Sequence, residues 1–114
     1  MDKSLKDLDS FNGTIDYTNS GLYRTKLTDG VVYIMSNGYS WFVTDVLAVI
    51  ETKEILKNEP FLSIKLKLEN DKGKMIITNG NNKVFYTQDY DYTDAQKELQ
   101  LYWTNEVLML SREY

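Results

Sequence analysis

Two hydrophobic periods divide this chain. Between Thr28 and Thr52 apolar residues recur at helical spacing, and from Phe61 onward they alternate with polar ones. Thr28 is placed to cap a brief helix with Asp29 in its first turn, where a carboxylate favours the positive helix end. Val31, Ile34 and Met35 form its apolar stripe, and Asn37-Gly38 supply a left-handed stop. A second helix is predicted from Trp41 to Thr52 with Ser40 as cap. Its residues Val43, Val46, Leu47 and Ile50 recur at i, i+3, i+4 and i+7, and Phe42 and Val49 widen the arc. So wide an arc predicts a central helix covered on more than one side.

Upstream, Ser4 can cap a short helix carrying Leu5, Leu8 and Phe11 until Gly13 breaks it, with an extended stretch at Leu22-Tyr23-Arg24-Thr25. Downstream of Pro60, Leu62, Ile64, Leu66 and Leu68 alternate with Ser63, Lys65 and Lys67, a strand with one buried and one wet face. Asn70-Asp71-Lys72-Gly73 reads as a turn, Met75 to Thr78 as the return strand, and Asn79-Gly80 as a hairpin signal lengthened by Asn81 and Asn82. Val84 to Tyr92 is the third strand, with Val84, Tyr86, Tyr90 and Tyr92 on one face and Phe85, Thr87, Asp89 and Asp91 on the other. Thr93-Asp94-Ala95-Gln96 fits a capping box opening a helix through Ala95, Leu99, Tyr102 and Trp103, which Asn105 stops. Val107 to Leu110 is a last buried strand. The expected fold is α+β, with N-terminal helices packed on a small, mainly antiparallel sheet: a three-strand meander, a helix and a final strand, in a single domain over residues 1–114.

Composition narrows the chemistry. At 114 residues the chain can bury a core without disulfides or metals, and 42% hydrophobic with 13% aromatic residues argues for a folded globule. With no cysteine and no histidine, a disulfide framework is excluded and zinc lacks its preferred ligands, which fits a reducing cytoplasm. The N-terminus lacks the apolar run of a secretory signal, and no apolar segment approaches the ~20 residues that span a bilayer. A cytoplasmic protein with no membrane contact is expected. Asn12-Gly13-Thr14 fits a glycosylation acceptor, which carries no weight without export.

The net charge of −4 is unevenly spread. Residues 53–83 carry seven lysines against four acidic side chains, whereas residues 84–114 carry two basic and six acidic ones. So acidic a chain is a poor general nucleic-acid binder, and its acidic third suits a basic surface on another protein. In Tyr86-Thr87-Gln88-Asp89-Tyr90-Asp91-Tyr92-Thr93-Asp94, rings and carboxylates interleave. Asp89-x-Asp91 begins like a calcium loop, but Tyr92 and Thr93 break the spacing. Asn79-Gly80-Asn81-Asn82 lies between strands, not at the helix entrance a phosphate loop needs. Nine tyrosines against four phenylalanines favour rings with a polar tip, the residue type of binding hot spots and also of half-buried sheet.

Read in order, further signatures converge: Phe11-Asn12-Gly13-Thr14, Thr28-Asp29-Gly30-Val31 with Tyr33, and Trp41 leading into a helix that contains Asp45. Tyr86-Thr87-Gln88, Tyr92-Thr93-Asp94 and Val107-Leu108-Met109-Leu110-Ser111-Arg112-Glu113-Tyr114 complete the set. Over nearly the whole chain they resemble a family of small uncharacterised proteins carried by bacteria, phages and mobile elements. The chain departs from that pattern at Ala95-Gln96, where the family tends to have Phe-Pro, and at Ser111-Arg112, where it tends to place proline before Ser-Glu-Tyr. The resemblance implies no enzymatic activity and no cofactor, and the genomic company suggests inhibition of host defence, CRISPR effectors included. The expected function is thus a non-enzymatic binding protein with a protein partner, such as a CRISPR effector nuclease, and no direct nucleic-acid contact. Its expected contact residues are Tyr86, Asp89, Tyr90, Asp91, Asp94 and Glu98. The alternative is a small-ligand binder that sequesters a nucleotide signal through Lys65, Lys67, Lys72, Lys74 and Lys83. An enzyme working through carboxylates alone would need Asp89 and Asp91 together in a closed pocket.

Overall fold

The computed structural model describes residues 3–11, 17–21 and 23–114, with the backbone alone at Asp9. The Gly13 helix break, the Asn12-Gly13-Thr14 triplet and Leu22 lie outside the described residues.

Thr28 begins helix α1 (Asp29–Ile34) as predicted, its hydroxyl accepting the Val31 amide at 3.4 Å. The helical path does not stop at Asn37-Gly38. It passes through a widened turn, Met35–Tyr39, kinked at Asn37 and Gly38, and continues as α2 (Ser40–Thr52). Gly38 has φ +98°, and a side chain there would collide with Lys3. Ser40 lies inside α2, and Tyr39 holds the cap position without a side-chain bond. A short helix α3 (Glu54–Lys57) follows.

Among the described residues one sheet contains β1 (Thr18–Asn19), β2 (Lys26–Leu27), β3 (Leu62–Glu69), β4 (Lys72–Thr78), β5 (Val84–Tyr90), β6 (Leu99–Thr104) and β7 (Val107–Leu110). Their order is β1-β2-β7-β6-β3-β4-β5, antiparallel except for the β2/β7 pair. The α+β class holds, but the sheet is larger than a three-strand meander plus one strand.

The largest correction concerns the helix expected after Thr93: that region is a loop followed by strand β6. Leu99, Leu101 and Trp103 are buried while Gln100, Tyr102 and Thr104 are half-buried, the alternation of a strand. The second edge of β3 decides the matter, because its buried backbone groups need partners and β6 supplies them from Leu62↔Trp103 to Leu66↔Leu99. The capping box does not form either. Thr93 Oγ1 accepts the Ala95 amide at 3.1 Å, and the Gln96 amide instead donates to the Tyr39 hydroxyl. Asn105 does not end a helix; with Glu106 it makes the left-handed pair of a tight hairpin turn, as Asn70 and Asp71 do between β3 and β4.

The predicted N-terminal helix shortens to one turn, Leu8–Ser10. Leu5 is buried with φ +56°, and the Asp7 amide donates to the Tyr33 hydroxyl at 3.2 Å. Docking onto α1 outweighs the weak helical tendency of so short a segment.

Phe42, Val43, Val46, Leu47 and Ile50 of α2 are buried with Val31 and Ile34 of α1. They form one core with Leu62, Ile64, Leu66, Met75, Ile77, Leu101, Trp103 and Leu108 from the sheet's inner face. A bulge in β5 shifts the register between Ile77↔Tyr86 and Thr78↔Val84, leaving Phe85 as the extra residue. Val84 therefore faces away from Tyr86, which corrects the simple alternation. The outer face carries Ser63, Lys65 and Lys67, paired across strands with Tyr102, Gln100, Thr78, Ile76 and Lys74. No described helix is long and apolar enough to cross a membrane.

Candidate functional site

The six expected contact residues do not share one surface. Tyr86 and Tyr90 turn inward from edge strand β5 toward α2. The Tyr90 hydroxyl donates to Asp45 Oδ2 at 2.8 Å, and the Tyr86 hydroxyl donates to Gln88 Oε1 at the same distance. Gln88 Nε2 also reaches Asp45 Oδ2 at 3.5 Å, so Asp45 ties Tyr90 and Gln88 to the helix directly and Tyr86 through Gln88. Burial, reinforced by the bond to Asp45, raises the Tyr90 phenol far above its ordinary range and keeps it neutral. Asp89 points outward and pairs with Lys74 at 3.8 Å, with both side chains at least half exposed. Asp91 is exposed and lies past the end of β5, so the two carboxylates occupy no closed pocket.

Asp94 is bound to the Lys3 ammonium, whose hydrogen bond holds the Asp94 carboxyl below the usual carboxylate range. Glu98 turns back onto the sheet, accepting the Leu68 amide at 2.9 Å. It anchors a loop and leaves the expected patch. The ring that does face water is Tyr92, 75% exposed between Asp91 and Thr93.

Tyr92 borders a shallow hollow of about 280 Å³ at the start of α2, lined also by Trp41, Tyr90, Thr93, Asp94 and Lys3. The Trp41 and Tyr90 rings meet edge-on with centroids 5.0 Å apart. Of the six expected residues, Tyr90 and Asp94 are brought together here. Trp41 and Lys3 join them from parts of the chain that sequence spacing could not connect.

Tyr39 positions this corner. Its buried hydroxyl donates to the Lys3 carbonyl at 2.8 Å and accepts the Gln96 and Lys97 amides at 3.1 Å each. Tyr39→Phe removes all three bonds while keeping the ring, so it is expected to lower unfolding free energy by about 1–2 kcal/mol in urea denaturation. It should also speed amide exchange at Gln96 and Lys97. Unchanged exchange at those two amides would show that the hydroxyl does not hold the loop.

A second concavity lies on the outer face. The Phe61, Tyr102 and Tyr114 rings cluster with centroids 4.9, 5.5 and 5.4 Å apart, beside an open groove of about 620 Å³. Ser63 forms its buried floor and accepts from Gln100 Nε2 at 3.3 Å, while Lys65, Val84 and the 79–82 loop complete the wall. Gly80, at φ +88°, lies so close to Phe61 that a Cβ would come within 2.9 Å of the ring. The Asn79-Gly80 turn and the lysines are legible in the sequence, but the ring cluster is not, because Tyr102 also fits a helical stripe.

Over residues 2–114 the sequence matches a family described as a family of unknown function (DUF6876). The chain belongs to that family. No curated protein and no solved structure matches it. In this DUF6876 member, then, the two concavities and their side chains carry the functional reading. Among the described residues, no group of three or more His, Cys, Asp or Glu side chains is placed to hold a metal ion.

Proposed function

We propose that this protein is a non-enzymatic binding protein that engages a basic surface on a protein partner through the hollow beside Tyr92. The observation that carries the reading is the lining itself: Trp41, Tyr90 and Tyr92 line the same hollow as Asp94. Aromatic faces next to a carboxylate suit a lysine or arginine side chain, which gains cation–π attraction and a charge-assisted bond together. Lys3 already pairs with Asp94 Oδ1, and the Asp94 side chain stays 64% exposed, so a partner's cation would share the carboxylate with Lys3 or displace it. Asp89 and Asp91 extend the negative potential along the free edge of the sheet and would orient the encounter.

The resemblance to proteins of phages and mobile elements makes a host defence machine in the bacterial cytoplasm the partner to test first, and a CRISPR effector nuclease the leading case. The test is capture of guide-loaded effectors by immobilised protein, comparing wild type with Asp89→Lys/Asp91→Lys and Tyr92→Ala variants. We expect wild type to bind an effector and suppress its cleavage, and each variant to weaken binding by at least about tenfold. If wild type binds while both variants bind equally well, this corner is not the contact. If no effector is captured, the defence reading falls.

A further inference from the structure

We infer that the groove on the outer face is a separate binding site for a nucleoside monophosphate. The inference stands apart from the protein-contact reading, since it uses the opposite face of the sheet. At about 620 Å³ the groove has the size of a small-molecule site. Its floor and wall offer stacking and hydrogen bonding together. Tyr114, 74% exposed, presents ring surface beside Tyr102 and Phe61, while Gln100 and the Asn81 and Asn82 amides stand at the edge. Such a lining suits a flat, polar-edged ring.

A row of cations leads away from the rings along the same face. Lys65 stands one pleat from Ser63 on β3, about 6–7 Å along the strand, and Lys67 a further pleat on. Lys67 is paired directly across from Lys74, whose charge Asp89 offsets from the neighbouring strand. Asp89 serves Lys74 and Glu69 stands opposite Lys72, which leaves Lys65 and Lys67 without an ion-pair partner among the described residues. A phosphate lying over Lys65 and Lys67 would pair with both ammoniums, and it falls on the side of the groove where a ring-bound nucleoside would extend it. The chain's net charge of −4 argues against a long polyanion and for a small ligand whose charge matches this local patch.

The test is titration of isotope-labelled protein with AMP, CMP, GMP and UMP at up to millimolar concentration, and separately with a short single-stranded oligonucleotide, followed by amide chemical shifts. We expect at least one nucleotide to move the amides of Ser63, Lys65, Gln100, Tyr102 and the 79–82 loop. Its nucleoside and inorganic phosphate should each bind at least about tenfold more weakly. Lys65→Glu/Lys67→Glu should raise the Kd by at least about tenfold, and Tyr102→Ala likewise, while Lys26→Glu on the far edge changes nothing. Should the charge reversal disturb folding, Lys65→Gln/Lys67→Gln reads the same loss. The inference is overturned if none of the four nucleotides moves the groove amides. It is also overturned if phosphate alone binds as tightly, if the lysine variants bind normally, or if only a single-stranded oligonucleotide binds.

Discussion

Trp103→Ala is expected to destabilise the protein by about 3–5 kcal/mol, while Tyr102→Ala next to it changes stability by less than about 1 kcal/mol. Trp103 is 3% exposed on the inner face of β6, packed in the core, and its indole N–H donates to Thr25 Oγ1 at 3.0 Å. That threonine hydroxyl in turn lies 3.3 Å from Glu51 Oε1 at the end of α2, so the truncation opens a cavity and breaks a tie between sheet and helix. Tyr102 points the other way, into the ring cluster of the outer face, where water and neighbouring rings can close over a lost side chain. A helix beginning at Thr93 would bury both residues along one stripe and make both substitutions severe. Urea denaturation of the two variants therefore separates strand from helix at this position. Comparable losses for both would refute the two-faced sheet on which the groove depends.

Glu113→Ala should cost about 3 kcal/mol, although the residue sits in a short terminal turn on the surface. Its Oε1 accepts from the Thr28 hydroxyl at 2.6 Å and the Leu110 amide at 3.0 Å, and its Oε2 accepts the Gly30 amide at 3.1 Å. One carboxylate thus clamps the start of α1 to the end of β7. Gly30 permits the approach, because a Cβ there would sit 2.5 Å from Oε1. Removal strands a hydroxyl and two amides near the core, whereas Glu54→Ala on exposed α3 should stay within about 0.5 kcal/mol of wild type. Glu113→Gln keeps one acceptor and should fall between the two. Equal midpoints for Glu113→Ala and wild type would show that the clamp contributes nothing. The same variant should loosen Tyr114 and blunt the groove, linking the clamp to the proposed ligand site.

Much of the fold was legible because local chemistry and tertiary packing agree. The Thr28 cap, the stripe of α2 and the alternation of β3 each have a local cause that the finished structure keeps, while the Asn70-Asp71-Lys72-Gly73 turn tightens to Asn70-Asp71, with Lys72 and Gly73 paired in β4. The stretch from Thr93 to Thr104 satisfied two local descriptions at once. Leu99, Tyr102 and Trp103 fit a helical stripe, and Leu99, Leu101 and Trp103 fit a strand face. Only the unpaired edge of β3 chose between them, and a sequence does not display an edge.

The candidate sites divide in the same way. The acidic, tyrosine-rich character of residues 86–94 is a property of the sequence, as are the lysines of residues 65–83. Which ring meets water depends on the sheet: the pleat and Asp45 draw Tyr86 and Tyr90 inward, and the end of β5 releases Tyr92. Lys3 reaches Asp94, and Phe61 reaches Tyr114, across long stretches of chain that no spacing rule connects. The sequence by itself determined the helix–sheet class, the turns and the charge of each segment, since these arise from neighbours along the chain. The tertiary structure alone decided strand against helix at β6, the clamp at Glu113 and the membership of both concavities. Those depend on contacts between separate segments: buried backbone groups that need partners, and rings and charges that the sheet brings together.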